Sequence, residues 1–122
     1  MSFWNRVYPT YGNWGGPGWS GGTYPKTWRD TDWSVPATDS MDALFKEHDG
    51  YYQETIRLYE EKKISYSEMF TLQESADQIL VKKAGGLSRD PRKWADPAAS
   101  TWYAFVYRYL VLLLFYPKIW IM

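Results

Sequence analysis

The stretch of sequence that is most informative about the fold is Asp39-Ser40-Met41-Asp42-Ala43-Leu44-Phe45-Lys46-Glu47-His48-Asp49-Gly50-Tyr51-Tyr52. Thr38 or Asp39 can cap a helix here, and Asp42 in the first turn suits the positive end of the helix dipole. Apolar residues then recur mainly at steps of three and four, which is typical of a helix with one buried face. They are Met41, Leu44, Phe45, Tyr52, Ile56 and Tyr59. A first helix is therefore predicted within residues 38 to 63.

A second helix is predicted after a short turn. Ser65 and Glu68 have the spacing of a capping box, and the helix is expected to run to about Lys83 with Gly85-Gly86 as its C-cap. Its apolar positions are Phe70, Leu72, Ala76, Ile79, Leu80 and Val81. Because the connection is short, the two helices should pack antiparallel.

A third helix is predicted from about Ala98 to Phe115. Asp96-Pro97 is typical of an N-cap followed by proline at the first helical position, and Pro117 is expected to stop the helix. Its apolar run from Leu110 to Phe115 is too short to span a bilayer. A core helix is favoured, while burial in a partner, including a second copy in a homo-oligomer, and shallow insertion into a membrane remain open.

Length and composition set limits on the class of protein. The chain has 122 residues, no cysteine and a formal net charge of zero. These values indicate one domain, exclude a disulfide scaffold and give no support for a nucleic-acid partner. The N-terminus lacks a charged start followed by an apolar run, so no signal peptide is expected. Five basic residues lie close together in the sequence: Lys82, Lys83, Arg89, Arg92 and Lys93. They form either a solvated face or a patch that binds anionic lipid headgroups.

The first 37 residues contain most of the glycines and prolines, with Gly12-Asn13-Trp14-Gly15-Gly16-Pro17-Gly18 as the densest part. Little regular structure is expected, apart from a short strand or turn near Thr23 to Trp28. The high aromatic content argues against disorder. The tryptophans of this region suit either a core or a membrane–water boundary; they are Trp4, Trp14, Trp19, Trp28 and Trp33.

The chemistry centres on His48, the only histidine and the only side chain whose ordinary pKa suits proton transfer near neutral pH. Tyr52 lies four residues later on the same helix face. Asp77 sits in an otherwise apolar part of the second helix, where its carboxylate could accept hydrogen bonds from His48 and Tyr52. Asp49, next to His48, is a hard oxygen ligand of the kind calcium prefers, and the glycine-rich loop could supply backbone carbonyls. The alternative for His48 is a buried histidine with a structural role.

In this arrangement the chain resembles the secreted-type phospholipases A2. The family's active-site helix has an aspartate, two cysteines and then His-Asp with a tyrosine three residues on. Leu44 and Phe45 stand where the cysteines would be. The loop from Tyr11 to Gly18 resembles the family's calcium loop, and Ala76-Asp77 its second-helix motif. The cysteine-free form is most similar to the phospholipase domain of parvovirus minor capsid proteins, over about residues 8 to 84.

The predicted helices and the resemblance together indicate a mainly α, single phospholipase A2-like domain over residues 1–122, in which the C-terminal helix has no clear counterpart among the family's motifs. A calcium loop and aromatic region would occupy residues 1–37, the catalytic helix pair residues 38–84 and the C-terminal helix residues 96–116. The resemblance implies that Ca²⁺ is held by the carbonyls of Trp14, Gly16 and Gly18 and by the Asp49 carboxylate. His48 would activate water, Asp77 and Tyr52 would orient it, and the Gly16 amide would stabilise the oxyanion.

The implied reaction is hydrolysis of the sn-2 ester of a glycerophospholipid at a membrane surface, in order to perturb that membrane. A viral or phage protein fits this activity, either virion-associated or cytoplasmic until delivered, with a bacterial effector next. The segment from Trp19 to Val35 is longer than the family suggests and could form a lid or a lipid contact. Tyr66 is a further candidate to assist at Asp77.

Two other interpretations stay open. Gly18-Trp19-Ser20-Gly21-Gly22 matches the Gly-x-Ser-x-Gly pattern of a serine esterase, which requires a strand before the serine and a helix after it. The chain could also be a phospholipase-like protein that binds or disrupts membranes without catalysis.

Overall fold

Three long helices follow an irregular N-terminal region. The computed structural model describes the backbone of residues 9–121 and the side chains of residues 9–113. The helices are α1 (Ser40–Glu60), α2 (Tyr66–Gly86) and α3 (Thr101–Ile121), with short 3₁₀ turns at Trp28–Asp30 and Pro91–Lys93. Within the described backbone, pairing between extended segments is limited to two isolated bridges. The mainly α architecture is therefore confirmed.

The starts of α1 and α2 follow from their capping residues. Asp39 is the N-cap of α1, and its carboxylate accepts a hydrogen bond of 2.8 Å from the Asp42 amide. Ser65 and Glu68 form the reciprocal capping box at the start of α2. Both caps satisfy amides that have no partner inside the helix. Both predicted caps are confirmed.

The two helices are antiparallel, as their cross-helix contacts show. Lys83 Nζ lies 2.7 Å from Glu47 Oε1, and Gln73 Nε2 donates to Thr55 Oγ1 at 3.2 Å. Tyr59 packs edge-on against Tyr66 near the connecting turn. Residues later in α1 thus contact residues earlier in α2, which is the arrangement predicted from the short connection.

The end of α2 differs from the prediction. Gly85 and Gly86 lie within the last turn of the helix, and Leu87 is the C-cap. The terminal carbonyls are instead bound by buried Arg108 of α3, whose guanidinium donates to Ala84 O at 2.9 Å and to Gly85 O at 3.3 Å. A cation at a helix C-terminus also complements the dipole. A side chain distant in sequence thus replaces the glycine cap.

Both limits of the third helix were wrong. α3 begins at Thr101 rather than Ala98, because Ser40 binds the backbone of Asp96. Ser40 N donates a hydrogen bond to Asp96 O, and Asp96 N donates one to Ser40 Oγ, each at 2.9 Å. α3 also continues past Pro117 to Ile121. A proline removes one N–H from the helix ladder at a cost of about 3 kcal/mol, which a helix of this length can tolerate.

The predicted apolar stripes are only partly buried. In α2 the buried residues lie in its C-terminal half, from Ala76 to Ala84, where α3 packs against it. Apolar side chains of the helix pair that point away from these contacts stay exposed, because no further element covers them. The misassigned core positions are Tyr59, Phe70, Leu72 and Ile79.

Aromatic packing joins the N-terminal region to the helices. Phe45 of α1 makes edge contacts with Tyr11 and Tyr107, at 5.8 and 5.6 Å between ring centroids. All three side chains are buried in the core. These contacts between rings fasten the N-terminal region to α1 and α3.

The tryptophans divide between core and surface. Trp14 is 1% exposed and stacks on Trp33, which is 39% exposed and packs beside Gly50 of α1. Trp19 and Trp28 are half-buried, and Trp4 lies outside the described residues. The segment from Trp19 to Val35 is tied to α1 by hydrogen bonds and an ion pair. No helix in the described part of the chain is long and apolar enough to cross a bilayer.

Candidate active site

His48, Asp77 and Tyr52 meet where α1 and α2 pack together. His48 Nε2 lies 2.7 Å from Asp77 Oδ1, and the Tyr52 hydroxyl donates to the same oxygen at 2.8 Å. The side chains of His48 and Asp77 are 14% and 6% exposed. Both expected hydrogen bonds are present, and together they fix the orientation of the imidazole ring.

Burial shapes the electrostatics of this group. Desolvation, followed by the hydrogen bond to Asp77, raises the pKa of Tyr52 well above its ordinary value. The phenol therefore stays protonated and remains a hydrogen-bond donor to the Asp77 carboxylate. The Asp77 carboxylate lies close enough to stabilise a positive charge on His48.

Asp49 lies beside this group in a different environment. Its half-buried carboxylate accepts a hydrogen bond of 2.8 Å from the Ser20 hydroxyl. Desolvation raises the pKa of Asp49 to about 7, against the opposing effect of the Ser20 hydrogen bond, and the charge of Asp42 adds a smaller increase. A carboxylate desolvated in this way gains from a neighbouring cation.

Asp42 anchors the glycine-rich loop to α1. Its fully buried carboxylate accepts hydrogen bonds from the backbone amides of Asn13, Trp14 and Thr38, at 2.9 to 3.0 Å. Gly12 lies so close that a Cβ there would come within 2.5 Å of the Asp42 carboxyl group. The loop therefore depends on this contact for its position above α1.

The loop brings its predicted residues to the same cavity as Asp49. Gly16 and Gly18 have φ values of 122° and 71°, which only glycine adopts readily. The Gly16 carbonyl accepts a hydrogen bond from Trp19 N at 3.1 Å, which closes a tight turn. Trp14 lies in the cavity wall together with these glycines.

The cavity has a volume of about 560 Å³ and is mainly apolar. His48, Asp49 and Tyr52 line it on one side. The remaining walls come from the loop, from α1 and α2, and from α3; they are Pro9, Trp14, Gly16, Pro17, Gly18, Phe45, Leu80, Tyr107, Leu110 and Val111. A space of this size and polarity suits an apolar chain that places a polar group next to His48.

The donor set can be compared with what calcium requires. In the part of the chain that the structure describes, no three acidic, histidine or cysteine side chains converge on one point. A cation here would depend on the Asp49 carboxylate together with backbone carbonyls of Trp14, Gly16 and Gly18. Oxygen donors of these two kinds are what calcium prefers. The residues present therefore fit calcium by chemical type.

Two residues at the site were missed from the sequence. Asp42 has the position of an acidic residue that interacts with the helix dipole in the first turn. No local pattern distinguishes such a residue from one that binds the backbone of a loop. Ser20 was assigned only to a possible nucleophile pattern. Its contact with Asp49 depends on the path of the loop, which no sequence signal gives.

The competing sequence patterns do not form the structures they require. Ser20 lies in a tight turn that pairs with Thr23, with neither a strand before it nor a helix directly after it, and its hydroxyl donates to a carboxylate. That is not a nucleophile elbow. Tyr66 is 63% exposed at the far end of α2 and packs on Tyr59 rather than beside Asp77.

No family model, curated protein or solved structure gives a significant match to this chain.

Proposed function

We propose that the chain is a calcium-dependent phospholipase A2, which hydrolyses the sn-2 ester of a glycerophospholipid to a lysophospholipid and a fatty acid. One observation carries the proposal. His48, backed by Asp77 and Tyr52, lines the same cavity as Asp49 and the loop of Gly16 and Gly18. A positioned base beside a set of oxygen donors suits attack of water on an ester carbonyl.

His48 acts as the general base. Because Nε2 is engaged with Asp77, the lone pair of Nδ1 accepts the proton of the attacking water. Asp77 stabilises the imidazolium that forms, and Tyr52 holds the Asp77 carboxylate in place. The same proton then passes to the glycerol oxygen that leaves, which restores neutral His48 for the next turnover.

The oxyanion of the tetrahedral intermediate needs positive charge and donors nearby. Calcium, held by the Asp49 carboxylate and the carbonyls of Trp14, Gly16 and Gly18, would supply positive charge that stabilises this oxyanion. The Gly16 amide is the candidate backbone donor, since Gly16 lies in the cavity wall beside Asp49. A donor of this kind contributes about 3 kcal/mol in comparable sites.

The remaining cavity wall suits the acyl chain of the substrate. Phe45 and Leu80 come from the helix pair, and Tyr107, Leu110 and Val111 come from α3. An acyl chain held against these side chains would leave its ester at the polar side near His48 and Asp49. α3 therefore completes the substrate site that the helix pair begins.

The test uses a phosphatidylcholine with different fatty acids at the two positions. In the presence of calcium, the protein should release the sn-2 fatty acid, and His48→Gln should lower the rate by at least about 1,000-fold. Gln78→Ala, an exposed neighbour of Asp77 on α2, is the matched control and should keep the rate within about twofold. Release that is unchanged in His48→Gln, or that is confined to sn-1, would contradict the proposal.

The second candidate is a protein that binds or disrupts membranes without turnover. It is favoured by the exposed aromatic side chains on α3, among them Trp102 at 75% and Tyr109 at 55% exposure. In the same assay this candidate predicts leakage of dye from vesicles with no fatty acid released.

A further inference from the structure

The outer face of α3 is an uncovered apolar stripe. Trp102, Phe105, Tyr109 and Leu113 are spaced by three or four residues and therefore share one helix face. Their exposed fractions are 75%, 44%, 55% and 61%. The opposite face of α3, which includes Ala104, Tyr107 and Val111, is buried in the core. α3 thus faces two environments along its described length.

Positive charge flanks the start of this stripe. Arg89 lines an open cleft of about 490 Å³ together with Trp102 and Phe105, and Asp90, which is paired with Arg92, also lines this cleft. Arg89, Lys82 and Lys93 are exposed, and among the described side chains none of the three is in an ion pair with an acidic residue. α3 itself contains no aspartate or glutamate.

A second exposed aromatic patch has the opposite surroundings. Tyr59, Tyr66 and Phe70 lie at the other end of the helix pair, 42%, 63% and 53% exposed. Residues 54–68 around that patch carry four acidic and three basic side chains, and among the described side chains Arg57 and Lys63 are paired with acids while Lys62 is not. Charge therefore distinguishes the two aromatic surfaces, although their exposure is similar.

Leu110 connects the α3 stripe to the cavity of the candidate active site. It follows Tyr109 directly, is 38% exposed and lines the cavity that holds His48 and Asp49. A surface in contact with the stripe would consequently lie next to a residue of the cavity wall.

We propose that this face of α3, together with Arg89 and Lys93, binds a bilayer that contains anionic phospholipid. Tryptophan and tyrosine favour the boundary between headgroups and acyl chains, and unpaired cations are attracted to anionic headgroups. The inference rests on the proposed function in one respect, namely that the bilayer supplies the substrate.

Co-sedimentation with vesicles in excess chelator tests binding without turnover. The intact chain should bind vesicles of phosphatidylcholine with phosphatidylglycerol at least about tenfold more tightly than vesicles of phosphatidylcholine alone. The double variant Trp102→Ala/Phe105→Ala should lose at least about tenfold in binding to the mixed vesicles. Arg89→Gln should remove part of the preference for phosphatidylglycerol.

The matched control is Tyr66→Ala/Phe70→Ala, which removes a similar area of exposed aromatic surface and should leave binding unchanged. Thermal melting of each variant checks that it is folded. Equal loss in both double variants, or binding indifferent to phosphatidylglycerol, would overturn the inference. A third outcome would also overturn the inference. If Trp102→Ala/Phe105→Ala changed a dimer into a monomer and still bound vesicles, the face would be an interface between two copies of the chain.

The outcomes separate this inference from the proposed function. Binding in chelator without fatty acid release in calcium would support the α3 surface and contradict the phospholipase activity. The opposite outcome is normal hydrolysis of dispersed short-chain lipid with no effect of the α3 substitutions on vesicle binding. It would support the phospholipase activity and contradict the α3 surface.

Discussion

Asp49 differs from an ordinary surface aspartate in one measurable way, because burial beside the cavity raises its pKa to about 7. In the unfolded chain, an aspartate has its ordinary pKa of 3.8. The folded state therefore binds this proton more tightly than the unfolded state does. Without a cation, stability should fall as pH rises from the unfolded pKa through the folded pKa, and level off above it.

The first prediction concerns Asp49→Asn in chelator. The variant lacks the desolvated charge, so at about pH 8 it should be more stable than the parent chain by a few kcal/mol, while at about pH 4 the two should be similar. It should also fail to bind calcium in calorimetry. Urea unfolding at several pH values measures the first effect, with exposed Asp96→Asn as the control. Parallel pH profiles for Asp49→Asn and the parent would contradict the assignment.

The second prediction concerns the Ser20 hydroxyl, whose hydrogen bond favours the ionised form of Asp49. Ser20→Ala should weaken calcium binding several-fold near neutral pH and leave turnover at saturating calcium within about twofold. Ser34→Ala is the control, because Ser34 donates to exposed Asp32 in a similar way. If Ser20→Ala lost more than about 1,000-fold in turnover at every calcium concentration, the serine would be a nucleophile and the mechanism would be wrong.

Among single residues, the sequence predicted the contacts that follow from helical spacing but not the contacts that depend on the path of the glycine-rich loop. Tyr52 lies one turn after His48 on α1, and both reach Asp77 because the two helices pack antiparallel. The contact between Ser20 and Asp49 required the path of a long irregular segment. That path depends on many tertiary contacts, which local patterns do not record.

Among the elements, the glycine-rich loop depends most on a single side chain. Asp42 accepts hydrogen bonds from three backbone amides and is fully buried. Asp42→Asn would replace an acceptor oxygen by an NH₂ group that faces these donors. We expect a loss of about 2–4 kcal/mol in the free energy of unfolding, measured in urea, and weaker calcium binding because the loop shifts. A loss below about 0.5 kcal/mol, as expected for Asp96→Asn, would contradict the anchoring role.

The connection between α2 and α3 depends on Arg108, which donates to the terminal carbonyls of α2. Burial lowers the pKa of this guanidinium, although an arginine remains charged at any ordinary pH. Arg108→Met keeps most of the volume and removes the donors. It should cost about 1–3 kcal/mol in stability, whereas exposed Lys93→Met should be nearly neutral in urea unfolding. Equal stability of the two variants would show that the cap is unimportant.

The ends of the elements were the least predictable part of the fold. Asp39, Ser65 and Glu68 act through neighbouring backbone, so the starts of α1 and α2 followed from local sequence. The end of α2 is capped by a residue of α3, and the start of α3 is displaced by a contact between Asp96 and Ser40. Each of these depends on residues more than 20 positions apart.

In the whole molecule, α3 has a buried face and an exposed face, and its sequence alone does not show which residues belong to each. Its inner face closes the core and lines the cavity, and its outer face remains exposed beside cationic residues. Apolar residues recur around the whole helix, so periodicity alone could not assign the faces. The number and order of helices were predictable from capping and spacing, while the exposed outer face of α3 became visible only with the packing.

The central claim is that His48 and a cation at Asp49 act together on one ester. The most direct measurement is the rate of sn-2 fatty acid release from phosphatidylcholine as free calcium is varied, with magnesium as the comparison cation. The account predicts no release in chelator, a saturable rise with calcium and little activity with magnesium, which prefers a smaller and more rigid octahedral site. Release that persists undiminished in chelator, or no release at any calcium concentration, would contradict it.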